Sequence, residues 1–431
     1  MSDSPALHPY LNDADPELAD LVAQEEARQF YCAKLIPSEN YASSAVLDAS
    51  GTVLTNKYSE GYARKRYYEG QQFIDPIEEL AIARAKSVFG ADHANVQPYS
   101  GSPANLAMYC GLIPRDAENQ RILGLGLPAG GHLTHGWKVS MTSRFFQFAH
   151  YGVDPQTHRF DFAAIAAQAR EFRPALIMAG CTAYPRIVEF DKFAEIAAEV
   201  GALLVADMAH IAGLVAGGAH PSPIPHAAAV STTTHKTLRG PRGGMLLCQA
   251  QYAQAIDKAV FPGLQGGPHN HTTAAIAVAL REAATPAFRA YAHQIVANSR
   301  ALAETLLSEG LNVVTGGSDN HLVLFSTMPL GATGKQAAKA MDIAGLEANF
   351  NSIPFDPQPP MNPSGVRVGT PALTSRGLGP DHLRSVGRWI AQAIRGKDDP
   401  QQLARVRGEV FDLMEQYPPP GFAAPYPGRP Q

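Results

Sequence analysis

Residues 230–244, VSTTTHKTLRGPRGG, join two kinds of backbone. The β-branched run 230–234 suits a strand. It leads straight into His235 and Lys236, after which Gly240, Pro241, Gly243 and Gly244 impose irregular backbone. A lysine at the end of a buried strand, just before a turn, is held out of bulk water and loses part of its preference for the charged form. Its amine is then a nucleophile able to form a Schiff base with a carbonyl. A His-Lys pair by itself is more often a surface feature, because lysine is rarely buried unpaired. The flanking chain decides between the two readings.

Upstream, strand and helix alternate. Residues 175–179 form an apolar strand. Residues 191–200 form a helix with Phe193, Ile196, Ala197 and Val200 inward, stopped by Gly201. Residues 202–206 are the next strand, with Asp207 at its C-terminal end. Strand–helix–strand implies a right-handed parallel crossover, and ligands of such sheets bind beyond the carboxyl ends of the strands. Asp207, three residues before His210, can hold a protonated pyridine nitrogen there, or simply cap a helix. The class expected is α/β.

Elsewhere the signals are mixed. Asp15-Pro16 opens a helix with an apolar stripe of Leu18, Leu21 and Val22. Residues 54–72 set Tyr58, Tyr62, Tyr67 and Tyr68 among Glu60, Arg64, Lys65, Arg66 and Glu69, which suits a solvated loop, an oligomer interface or a binding wall. Asp75-Pro76-Ile77-Glu78 is a helix start with Glu78 at a capping-box position. Ser100, Gly101 and Ser102 precede a helix at 104–112 and suit either an anion site or an ordinary cap. His132 and His135 form a possible metal pair without an apparent third ligand, and no metal is expected; the His132 ring could instead stack on a flat cofactor. Residues 263–267, GLQGG, read as a flexible loop. Helices dominate 273–307 with a break at Thr285-Pro286. A smaller α/β unit follows, with strands at 312–315, 321–326, 346–350 and 365–369 and helices at 334–343, 381–394 and 401–416. The Pro/Gly-rich tail after Tyr417 is irregular. The expected division is 1–34 as an N-terminal arm, 35–285 as a large domain and 286–431 as a small one.

Composition sets the bounds. At 431 residues, 45% hydrophobic and 17% charged, the chain can bury a large core. A net charge of −4 leaves no electrostatic footprint for nucleic acid. Cys32, Cys110, Cys181 and Cys248 form no CxxC and read as buried thiols of a reducing compartment. The acidic N-terminus lacks a signal pattern, and the most apolar stretch, 201–218, is interrupted by Asp207 and His210, so a soluble cytoplasmic protein without a membrane span is expected.

STTTHKTLRGPRGG resembles the cofactor-lysine motif of the serine hydroxymethyltransferase family. The likeness runs from about residue 35 to 417 through LIPSEN, LTNKYSEGY, KRYY, ANVQPYSGS, GGHLTHG, DMAHIAGLVAGG, FPGLQGGP, SDNHLVL and SGVRVGTPALTSRG. It implies the aspartate-aminotransferase-like fold of type I pyridoxal phosphate (PLP) enzymes, with a mixed seven-stranded sheet, in a homodimer or tetramer with shared active sites. By the resemblance Lys236 carries PLP covalently, Asp207 faces the ring nitrogen and His132 stacks on the ring. Thr182, His210 and Thr233 orient the ring oxygen, the substrate and the lysine. Ser100, Gly101, Ser102 and His235 receive the phosphate, with Gly266 and Gly267 of the other chain. Arg367 clamps the substrate carboxylate beside Ser38, Glu60 is the acid/base group, Tyr58 and Tyr68 support it across the dimer, and Asn351 binds the pterin of tetrahydrofolate.

The chain departs from the family pattern at Tyr99, Pro103, Glu69 to Gln72, Pro128, Ala129, Phe350 and the GGPHNH segment. These changes gather around the expected site, and point to α-methyl-L-serine as substrate, with D-alanine and 5,10-methylenetetrahydrofolate as products. The alternatives are the ordinary serine/glycine reaction, a folate-independent α-methylserine aldolase, which the lysine lost at Phe350 favours and the retained Glu60 and Asn351 oppose, and a non-enzymatic scaffold.

Overall fold

The computed structural model describes residues 8–422 and Arg429. The expected irregular tail therefore lies partly outside the described residues. The strand read at 230–234 is Ala229–Thr233, inside a seven-stranded sheet. In chain order its strands are β1 (His93–Asn95), β2 (Arg121–Leu125), β3 (Gln147–Tyr151), β4 (Leu176–Gly180), β5 (Leu203–Asp207), β6 (Ala229–Thr233) and β7 (Gly244–Cys248). Their spatial order is β1-β7-β6-β5-β4-β2-β3. The run from β6 to β3 is parallel, whereas β7 is antiparallel to both its neighbours.

Successive strand residues face opposite sides of a sheet, and here both sides are covered. Ile122, Leu176, Met178 and Val205 face a core with the helix Gly101–Leu112. Leu123, Ile177, Ala179, Leu204 and Ala206 face the other, with Phe89, Ile165, Phe193 and Ile276 from helices. Burial on both faces explains why β4, β6 and β7 read as near-continuous apolar or small-residue runs.

A second core surrounds a four-stranded antiparallel sheet. Its strands are β8 (Asn312–Val313), β9 (Leu322–Ser326), β10 (Asn349–Asn351) and β11 (Gly365–Gly369), in the order β8-β9-β11-β10. The helix Pro286–Ser308 links the two cores: Thr285 caps it, Phe288, Tyr291 and Ile295 pack on the first, and Leu302 and Leu306 pack on the second. The N-terminal segment belongs to the second core, since Ala33–Lys34 pairs with Leu346–Glu347. Arg376, 5% exposed, fastens it by donating to the carbonyls of Phe30 (2.8 Å) and Met414 (2.6 Å).

Several expectations are corrected. Asp15 does cap the helix Pro16–Tyr31, but Leu18 and Leu21 are exposed and the buried face is Ala19, Ala27, Phe30 and Tyr31. Glu78 makes no capping box, because the helix begins earlier, at Ile74. The buried Arg66 guanidinium draws in both carboxylates instead, Asp75 at 2.9 Å and Glu78 at 3.0 Å. The strand expected at 346–350 is two short ones serving different sheets, and the one expected at 312–315 stops at Val313. Of the four free cysteines only Cys248 is buried, and Cys110 is exposed on its helix. Among the described residues no helix is long and apolar enough to cross a membrane.

Candidate active site

The carboxyl ends of β5 and β6 deliver Asp207 and the His235-Lys236 turn to one place. Asp207 Oδ2 accepts from Asn105 Nδ2 (2.8 Å) and lies 3.2 Å from His135 Nε2, while Oδ1 accepts from the Ala209 amide (3.0 Å). Burial would raise its carboxyl pKa, but the hydrogen bond from His135 and the surrounding charges hold it far below the ordinary carboxylate range. Asp207 is therefore a buried anion, and it caps no helix; the next helix, Ala212–Ala216, has Ile211 at its N-cap. It does supply the third ligand that the sequence did not reveal for a metal, since donor atoms of His132, His135 and Asp207 lie within 4.8 Å of one another. Both Asp207 oxygens are already engaged by protein donors.

Lys236 lies in the turn after β6 rather than on the strand, anchored by Asn40 Nδ2 donating to its carbonyl (2.9 Å). Among the described residues no carboxylate lies within ion-pair distance of its ammonium group. Burial lowers its pKa to about 8, against the opposing pull of Asp207 and with help from Arg367 and Arg242. His132 is held by Thr134 Oγ1 at 2.7 Å from Nδ1, and burial lowers it to about 4, so its ring is neutral. Thr134 in turn accepts from Asn105, which ties the ring's support to that of Asp207.

Arg367, at the centre of β11, reaches across from the second core. Its Nη1 donates to the Thr182 carbonyl (2.6 Å) and its Nε to Asn349 Oδ1 (3.2 Å). Burial lowers it to about 10, and among the described residues it has no carboxylate partner. A desolvated guanidinium satisfied only by neutral acceptors is a ready site for a carboxylate. Ser38 is brought to the same seam because Gly369 packs on Pro37 and donates to the Leu35 carbonyl (2.7 Å). Thr182 Oγ1 contacts the carbonyls of Gly130 and Gly131 at 3.3 and 3.2 Å.

The residues expected to hold a phosphate fit one. Ser100 begins the helix Gly101–Leu112 without using its side chain as a cap, so the ordinary capping role is not the one it plays. A Cβ on Gly101 would lie 2.8 Å from Thr233 Cγ2, so the helix start is held tight against β6. Thr233 Oγ1 and His235 Nδ1 are buried without a hydrogen-bond partner. Buried polar atoms are normally satisfied, and the Thr233 orphan beside the helix N-terminus fits an anionic group.

The other predicted residues form a separate cluster. Tyr58 Oη donates to Glu60 Oε1 (3.1 Å), and the Tyr58 and Tyr68 rings meet edge-on at 5.3 Å. Gly266 and Gly267 lie against Glu60 and Tyr58, and Tyr99 donates to the Gly267 carbonyl (2.7 Å), which ties down the loop read as flexible. Tyr58 and Tyr68 are 54% and 46% exposed. Among the described residues no hydrogen bond or ring contact joins this cluster to Lys236, His132 or Arg367 within the chain. Asn351 lies on β10, its amide turned to the Ser352 carbonyl (2.6 Å). Sequence reasoning missed Asn105, His135 as a partner of Asp207, and Asn349. His135 stands inside the quoted GGHLTHG, while Asn105 and Asn349 lie outside the quoted motifs, and only the packed structure pairs them with their partners.

A half-buried lysine with no carboxylate at ion-pair distance among the described residues, a carboxylate kept ionised at a strand end and a guanidinium held only by neutral acceptors, on this seven-stranded sheet, define a fold-type I PLP-dependent enzyme. The serine hydroxymethyltransferase family model matches residues 11–390. The chain is 58% identical over 428 residues to serine hydroxymethyltransferase of Acidothermus cellulolyticus, covering 98% of this chain and 100% of the relative. It is 57% identical over 412 residues to that of Sorangium cellulosum, covering 96% and 97%, and 55% identical over 413 residues to that of Desulfotalea psychrophila, covering 96% of each. The chain belongs to the serine hydroxymethyltransferase family. It is a transferase of hydroxymethyl groups, dependent on PLP bound covalently to lysine and on tetrahydrofolate as co-substrate. The scaffold alternative is thereby set aside.

Proposed function

We propose that the chain interconverts L-serine and glycine, passing the hydroxymethyl carbon to and from tetrahydrofolate. The observation that carries this reading is Arg367, a desolvated guanidinium with no carboxylate partner among the described residues, in the same seam as Lys236 and Asp207. Lys236 would anchor the cofactor, Asp207 would keep its ring nitrogen protonated, His132 would cover one ring face, and Ser100, Gly101, Ser102, Thr233 and His235 would hold its phosphate region. Bound PLP supplies an electron sink for breaking the Cα–Cβ bond. Arg367, with Ser38, orients the amino acid by its carboxylate. Glu60, supported by Tyr58 and Tyr68, moves the proton at the hydroxymethyl oxygen, and Asn351 faces the pterin.

Support for serine over α-methylserine comes from relatives covering almost the whole chain at 51–58% identity, all serine hydroxymethyltransferases. Two of the departures that suggested α-methylserine have structural uses: Tyr99 tethers the Gly267 loop, and Gln71 is buried with its amide on the Tyr58 carbonyl (3.1 Å). The folate-independent aldolase reading loses ground because Glu60 and Asn351 are present. The proposal includes a homodimer in which each chain's Tyr58–Glu60–Tyr68 and Gly266–Gly267 cluster completes the partner's site, the division into arm, large and small domains, and a cytoplasmic location.

The test is incubation of holoenzyme with L-serine or α-methyl-L-serine, each with and without tetrahydrofolate. Folate-dependent glycine from serine is expected. Folate-dependent D-alanine with no glycine would instead establish the α-methylserine reaction, and product from α-methylserine regardless of folate would establish the aldolase.

A further inference from the structure

His210 and His321 meet where the two cores join. His210 follows β5 and packs on the first core's side, its carbonyl accepting from Thr237 Oγ1 (3.0 Å). His321 immediately precedes β9 of the second, and its carbonyl accepts from the Thr370 amide (3.0 Å). Asn320 fixes the junction by donating to the carbonyls of Tyr184 (2.9 Å) and Arg186 (3.1 Å). The two imidazoles are linked by His210 Nδ1 and His321 Nε2 at 3.1 Å, and are 4% and 0% exposed.

Burial, reinforced by the cations of Lys236 and Arg367, keeps both rings neutral. Each therefore carries one proton, and the shared bond permits two arrangements. If His210 donated from Nδ1, the proton of His321 would sit on its Nδ1, which is sealed from solvent and has no acceptor among the described residues. A buried N–H without an acceptor is strongly disfavoured, whereas a bare ring lone pair is tolerated far better. If His321 donates from Nε2, that penalty vanishes, and the proton of His210 must lie on Nε2. His210 Nε2 is not among the sealed, unpartnered atoms, and the ring sits within electrostatic range of Lys236, Arg367 and His132.

We infer that His321 is a positioning residue that fixes the tautomer of His210, so that His210 Nε2–H points a hydrogen-bond donor at an anionic oxygen bound between Lys236 and Arg367. That oxygen belongs either to the amino-acid carboxylate or to the cofactor ring, so the functional consequence rests on the proposed reaction; the tautomer itself does not. The device also makes the donor depend on docking of the two cores, because the ring that sets it comes from the second.

Long-range 1H–15N correlation spectra of protein labelled with 15N-histidine, with His210→Gln and His321→Gln assigning the signals, read the tautomer directly in holoenzyme and cofactor-free protein. The expected result is a pyridine-type Nδ1 and a pyrrole-type Nε2 on His210. His321→Leu should mix the two tautomers and lower kcat/KM by about tenfold. His321→Gln, whose amide can donate to Nδ1, should restore most of it. A rise in KM for serine would assign the oxygen to the carboxylate, and weaker PLP retention would assign it to the ring. A protonated Nδ1 on His210 in the wild type would overturn the inference, as would a His321→Leu protein with an unchanged His210 spectrum. The inferred tautomer in a protein that does not turn over serine would count against the proposed reaction alone.

Discussion

The half-buried cluster of Lys236, Asp207, His132 and Arg367 and the open cluster of Tyr58, Glu60, Tyr68 and Gly266–Gly267 differ in how complete they are. In the first, each group is held by neighbours of its own chain: Asn105 and His135 on Asp207, Thr134 on His132, Asn349 and the Thr182 carbonyl on Arg367. In the second, the tyrosine rings are about half exposed and face solvent with no substrate-binding group of the same chain beside them. The contrast teaches that the groups around Lys236 are held in place by one chain, whereas the Tyr58–Glu60–Tyr68 group stands open at the surface, where the proposed dimer would cover it. Arg66, with a side chain 3% exposed, holds this open loop in shape through Asp75 and Glu78 and through the carbonyls of Ser59 and Gly61.

Lys236→Ala strikes the closed cluster hardest. It should abolish serine turnover and the covalent cofactor absorbance; a retained spectrum would reassign the anchoring lysine. Glu60→Gln in the open cluster should lower kcat by roughly 10²- to 10⁴-fold while leaving that spectrum intact. The comparison itself is broken or sharpened by mixing the two inactive variants. If each site draws on both chains, random pairing into two-fold dimers should recover about a quarter of wild-type activity; if each chain uses its own Glu60, mixing recovers nothing. Arg367→Lys should lower kcat/KM for serine by about 10- to 100-fold, mainly through KM, because an ammonium cannot reproduce the paired hydrogen bonds of the guanidinium.

Two pH effects separate the clusters further. The lysine pKa of about 8 predicts that the rate of PLP attachment to cofactor-free protein rises with pH and levels off above about 8, since only the neutral amine attacks. Stopped-flow absorbance at several pH values checks this. His132, lowered to about 4, and His235, lowered to about 3, must be neutral in the folded protein, whereas they take up protons near 6.5 when unfolded. Their contribution to stability is full above about 6.5 and is lost as pH falls from there toward 4 and 3, so urea midpoints of the cofactor-free protein should drop over that window. Tyr99→Phe is expected to have the smallest effect, a loss of about two- to fivefold in kcat, through loosening of the Gly267 loop after its hydroxyl bond is removed.

Much of the architecture was legible in the residues. The helix at 334–343 and the strand at 365–369 coincide with the observed elements, and those at 175–179, 191–200, 202–206 and 230–234 are within one residue of them. In each, the residue pattern agrees with burial, and Gly201 stops the helix at 191–200. Errors fell where a distant partner overruled the local pattern. Asp75-Pro76-Ile77-Glu78 carries a cap signal, but Arg66 claims its carboxylates. Leu18 and Leu21 have helical spacing, but both are exposed and no core among the described residues meets them.

By itself the sequence determined the chemical inventory: an amine after a β-branched strand, a carboxylate at the next strand's end, and glycines where the backbone must turn. Residue type and spacing set these because propensity and periodicity act over a few neighbours. Only the tertiary structure decided which groups are buried, paired or left orphaned. Asn105 meets Asp207 across 102 residues, Arg367 meets Thr182 across 185, and His210 meets His321 across 111. The charge of Asp207, the lowered pKa of Lys236 and the proton's place on His210 all depend on desolvation and on partners that only folding brings within hydrogen-bond reach.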